Sequence, residues 1–222
     1  MASRVIHLAI SEEIIKQVKL KDNNKFLIGS LLPDAAKSGQ EDRHKTHFVK
    51  ILQDKDNKTF DFSQFLKYYG GNIHNDDLYL GYYIHLIEDA LFRKLAFEKW
   101  NLLKKKNDLN YKENLYNDYK ILNKYLIKKY KLNNKIQIPE DLKLHSINKI
   151  YSFDFNTLLI ELEKDFKEDI QDQKLAYLEL DLVDVFISEC ITICIKEINS
   201  ILSNKETTIN SDDYAWKIKE DN

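Results

Sequence analysis

The sequence predicts an all-α protein, a compact multi-helix bundle. Glycine (5) and proline (2) are scarce in 222 residues, while leucine, isoleucine, lysine and asparagine abound, a composition that disfavours turn-rich sandwiches and barrels. Apolar residues also recur at helical spacing along most of the chain. With 43% apolar residues and 12% aromatics, there is enough apolar surface for a substantial core.

The first helix is expected over residues 4–20, where Val5, Leu8, Ala9, Ile14, Ile15 and Val18 alternate with Glu12, Glu13 and Lys16. Ser3 is its candidate N-cap. "FLIGSLLP" follows as a short apolar run broken by Gly29 and Pro33, and the chain to His47 reads as a polar loop, because proline disfavours helix at the residue before it. A short helix over Phe62 to Tyr69 should stop at Gly70-Gly71, and Asn75 or Asp76 should cap a long helix to about Lys105. Beyond it, helices are predicted over 111–130, from an Asp154 cap to about Glu168, and over 181–202. No linker divides the chain, so residues 1–205 form one domain. Residues 206–222 read as a polar tail that is frayed or docked by Trp216 alone.

Charge and cysteine usage narrow the function classes. The 34 basic and 36 acidic residues leave a net charge of −2, with no basic excess to attract nucleic acid. No stretch reaches the ~18 apolar residues of a membrane span, and the first residues reach Glu12 and Glu13 before any long apolar run of a secretory signal. The only cysteines, Cys190 and Cys194, fall four apart on one helix, where a disulfide is strained. Free thiols in a reducing, cytoplasmic setting are expected. Oligomeric state has no signature in the sequence.

The stretch "GYYIHLIEDA" carries the chemistry. On a helix at 100° per residue, His85 and Asp89 project together one turn apart. Leu80, Tyr83, Ile84, Leu86, Ile87, Ala90 and Leu91 make the same helix apolar nearly all round, which places it inside the domain. An unpaired buried carboxylate costs several kcal/mol, so Asp89 needs a compensating charge. A basic side chain beside a core histidine would supply one. A divalent cation would supply another, and its preferred ligands are imidazole and carboxylate. Asp34 after a proline bend, His44 and His47 in "RHKTHF", and His7 beside Ile6 and Leu8 enlarge the ligand inventory, and five of the six histidines precede residue 86. That clustering favours the metal.

Taken in order, "HLAI", "GSLLPDA", "HKTHF" and "LGYYIHLIEDA" resemble the zinc-dependent phospholipase C family in its short, unsecreted bacterial form, over about residues 4–95. The resemblance implies a phospholipase C-like helical fold and one or two zinc ions, with manganese as a substitute. It implies Asp34, His47, His85 and Asp89 as ligands of one zinc, and His7 joining a bridging Asp89 at a second. The family's third metal position has no evident counterpart, since no histidine follows Asp89 in "ALFRKLAFEKW" and Lys149 stands four residues after His145. The expected function is metal-dependent hydrolysis of a small phosphoester. Asp34 would be the catalytic carboxylate orienting or deprotonating water, with Arg43 or Lys45 on the phosphate. His44, His145 and Glu189 are further candidates, each more simply read as solvated or structural. The alternative is a non-catalytic helical protein with a structural zinc and a partner-binding second half.

Overall fold

The computed structural model describes residues 2–36, 39–147, 153–167 and 174–218, and it is mostly helical. The helices are α1 (Arg4–Ile15), α2 (Asn23–Leu31), α3 (Gly39–Thr46), α4 (Phe62–Ile73), α5 (Asp77–Glu98), α6 (Leu102–Lys105), α7 (Tyr111–Tyr130), α8 (Phe155–Lys167) and α9 (Leu180–Leu202). No helix among the described residues is long and apolar enough to cross a membrane.

Helix α5 is the axis of the fold. Every residue from Asp77 to Ala90 is buried, and α1, α2, α4 and α9 pack around it. Its start is fixed by Asp76, whose carboxylate accepts from the Leu78 amide at 3.0 Å, as an N-cap does. Closest to it runs α2. A Cβ on Gly29 would stand 2.1 Å from the Leu78 carbonyl oxygen, and one on Gly81 would stand 2.1 Å from that of Phe26. The two glycines therefore let the backbones meet where any side chain would force them apart.

Several element boundaries differ from expectation, each for a local reason. The first helix ends at Ile15, and Asp22 then caps α2 by accepting from the Lys25 amide at 3.0 Å. The supposed polar loop holds a 3-10 turn over Leu32–Ala35 and then α3. Helix α4 runs through Gly70-Gly71 to Ile73 because Phe65, Tyr69 and Ile73 continue one buried stripe across them; burial overrides a cost of about 1 kcal/mol per glycine. The long helix breaks at Glu98, before Asn101 turns left-handed with φ 57°. Predicted bounds hold for α7 and agree within a residue for α8 and α9.

A three-stranded antiparallel sheet was not foreseen. Strands β1 (Val49–Ile51), β2 (Asn57–Phe60) and β3 (Trp216–Lys217) lie in that order, with Val49 opposite Phe60 and Lys58 opposite Trp216. The tail is thus held by more than its tryptophan ring. Thr59 donates to the Ser211 carbonyl at 2.5 Å, and the Arg93 guanidinium stacks 4.1 Å from the Trp216 centroid and 4.3 Å from that of Phe97.

Candidate metal centre

Five side chains from four elements converge at the α1, α2 and α5 junction: His7 from α1, Asp34 from the 3-10 turn, His47 just after α3, and His85 and Asp89 from α5. Two groups form within it, each with ligand atoms inside 4.8 Å: His7, His85 and Asp89, and Asp34, His47 and His85. His7, His85 and Asp89 are fully buried, and His47 is 1% exposed. The five residues singled out by sequence are therefore brought together.

The folding of the helix ends orients the rings. The last carbonyls of a helix have no partner within it; Ser30, near the end of α2, accepts from His85 Nδ1 at 2.7 Å. The Arg43 carbonyl, near the end of α3, accepts from the His47 amide at 3.0 Å and in addition from His47 Nδ1 at 2.8 Å. A carbonyl only accepts, so each Nδ1 carries a proton and each ring turns its Nε2 inward. Those two Nε2 atoms face each other at 3.2 Å. Lone pairs so placed repel unless a cation or proton lies between them.

Most of the remaining spacings fit a cation. Ligand atoms about 2.0–2.2 Å from a tetrahedral zinc stand roughly 3.3–3.6 Å apart. His47 Nε2 is 3.5 Å from Asp34 Oδ1 and 3.5 Å from Asp89 Oδ2, while His85 Nε2 is 3.8 Å from the same Asp89 oxygen. The other oxygen, Asp89 Oδ1, faces His7 Nε2 at 3.4 Å and accepts from the Ala2 amide at 2.9 Å. One carboxylate thus faces His7 with one oxygen and His47 and His85 with the other, while His85 belongs to both ligand groups. Asp89 Oδ2 and His7 Nε2 are buried without a hydrogen-bond partner, a costly state in a finished core.

Electrostatics agree with a site short of positive charge. Burial opposes a proton on His7, yet its contacts with Asp89 and Glu88 push its pKa up to about 10. Burial and the neighbouring His7 push His85 down to about 3. Burial also works against charge on Asp89 and Asp34, but His7 beside the first, and His47 and Arg43 beside the second, hold both well below the usual carboxylate range. The metal-free cluster is therefore balanced by a proton on His7 and by Arg43, whose guanidinium sits 2.7 Å from Asp34.

Glu88 was missed by sequence reasoning. Its Oε2 takes His7 Nδ1 at 2.5 Å, leaving Nε2 for the cluster, the arrangement in which a carboxylate behind a histidine orients it as a ligand. Burial pushes Glu88 up to about 7 against the pull of His7. A signal did exist, since Glu88 is a second acid within an otherwise apolar helix.

The other candidates lie elsewhere. His44 is half-buried on α3 and belongs to neither ligand group. Lys45 is exposed and faces Asp42 at 3.8 Å. His145 pairs with Asp76 at 3.4 Å and Asp141 at 3.5 Å, against the N-terminal end of α5. Glu189 is solvent-exposed on α9, and the buried acid of that helix is Glu197, which accepts from Tyr83 at 2.9 Å and from the Thr208 amide at 2.6 Å. Cys190 and Cys194 are free and buried, with sulfurs 3.9 Å apart.

A cavity of about 1260 Å³ opens beside the cluster, with Ala2, Asp34 and Arg43 in its lining and the facing sides of α7 and α8 as its walls. Compared with known proteins, the chain matches no family model, no curated protein and no solved structure.

Proposed function

We propose that the protein is a metal-dependent phosphoester hydrolase, with zinc, or manganese in its place, held by His7, Asp34, His47, His85 and Asp89. The observation that carries this reading is the pair of inward Nε2 atoms 3.2 Å apart, set among carboxylates at ligand spacing beside an open cavity. The resemblance to zinc-dependent phospholipase C supports it. When bound, such an ion polarises a phosphoryl oxygen and acidifies a water toward neutrality.

The chain's own groups have distinct tasks. Asp34 lies at the cavity wall, where its carboxylate accepts a hydrogen bond from the attacking water. Held well below the usual carboxylate range, it is a weak base and acts chiefly by orientation. Arg43 lines the same cavity, and with one nitrogen on Asp34 at 2.7 Å it offers its remaining N–H groups to a phosphate oxygen. Asp89 and the three histidines, packed in the core, hold the ligand geometry rigidly.

Generic phosphodiesters or monoesters should be hydrolysed by zinc- or manganese-loaded protein, with activity lost to chelator. Asp34→Asn should lower turnover more than metal content, because an amide oxygen can still coordinate but is an uncharged and therefore weaker acceptor for the attacking water. The near-complete burial of four of the five ligands favours one rival, a structural ion closing the fold. That rival takes over if metal-replete protein cleaves nothing across a broad phosphoester panel and chelation simply unfolds it.

A further inference from the structure

We infer that the site takes an aryl phosphoester, its leaving ring held between α7 and α8 by Leu115, Tyr116, Tyr119 and Ile160 while the phosphate lies at Asp34 and Arg43. This inference rests on the hydrolase reading and names the substrate class for that site. The cavity of about 1260 Å³ exceeds the usual ligand pocket of roughly 300–1,000 Å³, so a phosphate at Asp34 and Arg43 leaves room for an organic group beside it.

The side chains bounding that room are apolar and aromatic. Leu115, Tyr116 and Tyr119 fall on one face of α7 and line the cavity together with Ile160 of α8. Tyr116 is 69% exposed and Ile160 52% exposed, two large side chains held open to one concavity rather than scattered singly over the surface. Leu115 and Tyr119 are half-buried and packed on the core, and the Tyr119 ring lies against Phe92 of α5 with centroids 6.4 Å apart, so this wall is fixed before a ligand arrives. The charges that α8 brings to the cavity are already paired: Asp165 with Arg4 at 3.0 Å, Lys164 with Glu161 at 2.8 Å, and Lys167 with Glu163. An uncharged group on this side therefore meets apolar surface bordered by neutralised pairs. A flat ring suits it better than a flexible chain, since tyrosine faces add stacking to area burial and a ring has no chain torsions to lose on binding. A long acyl chain would have to run out over the ion pairs.

The test compares methylphosphonate, phenylphosphonate and octylphosphonate, which a phosphoester hydrolase cannot cleave, by calorimetric binding to metal-loaded protein. Phenylphosphonate should bind about tenfold tighter than methylphosphonate, and octylphosphonate no tighter than phenylphosphonate. Tyr116→Ser and Ile160→Ser, both at exposed positions, should each cut the ring preference severalfold and together abolish it, with metal content unchanged. Equal binding of the methyl and phenyl compounds, a preference that survives the double substitution, or tightest binding of the octyl compound, the mark of a lipid-like leaving group, would overturn the inference. Cleavage of methyl and phenyl phosphate is scored separately, so failure to hydrolyse either counts against the hydrolase reading, while the ring preference decides this one. Failure to bind any of the three phosphonates would overturn both.

Discussion

At the scale of single residues, the site is organised by what stands behind its ligands. Sequence made His7, Asp34, His47, His85 and Asp89 legible, because polar groups flanked by apolar ones at a helical spacing demand an explanation. It could not show which nitrogen of each ring faces inward, since that depends on the Ser30 carbonyl and on Glu88, both brought in by tertiary packing, and on the exact end of α3 at the Arg43 carbonyl. Glu88 gives the most specific prediction. Its pairing with His7 fixes the ring and raises its basicity, so Glu88→Gln should weaken metal binding roughly 10–100-fold, measured by chelator competition. The sign of the pH dependence follows from His7, whose pKa stands at about 10 in the metal-free protein. At neutral pH it holds a proton that Nε2 must lose to bind metal. Metal uptake should therefore release protons, and affinity should rise with pH through neutrality. Calorimetry in buffers of different ionisation enthalpy reads this release directly, and uptake without proton release would contradict the assigned state of His7.

At the scale of elements, the α2–α5 contact decides whether the ligands meet at all. Gly81 lies one turn before His85, and the backbone it touches at Phe26 belongs to the helix whose Ser30 carbonyl orients that histidine. Gly81→Ala should therefore destabilise the fold by roughly 3 kcal/mol through overpacking and also lower metal affinity. Gly70→Ala is the matched contrast. Nothing lies within 4 Å of a Cβ there, so it should stabilise by about 0.5–1 kcal/mol and leave metal unchanged. Paired denaturant melts and metal titrations check both. The same two positions show where sequence reading succeeds and fails. Gly70-Gly71 looked like a stop and is helix interior, because the stripe of Phe65, Tyr69 and Ile73 outweighs local propensity. Strands β1 to β3 are at most four residues long, too short for an alternating pattern to stand out, and β3 joins only through contacts distant in sequence.

At the scale of the whole molecule, one apolar helix is made to carry two ligands and their backing acid through the centre of the core. A metal-free core of that kind retains buried polar atoms without partners, Asp89 Oδ2 and His7 Nε2 among them. Metal binding would satisfy them and add its own free energy to folding, so chelation should lower the melting temperature and resupplied zinc should restore it. The central claim is that this core is built around ions, and elemental analysis of protein purified without added metal tests it most directly. Wild-type protein should carry zinc or manganese in near-stoichiometric amount, and His74→Ala, outside both ligand groups, should match it. His85→Ala, a member of both ligand groups, and Asp89→Ala, which faces His7 with one oxygen and His47 with the other, should each lose most of it. Metal-free wild-type protein that also fails to take up zinc on titration, or full metal retention by the His85 and Asp89 variants, would contradict the account.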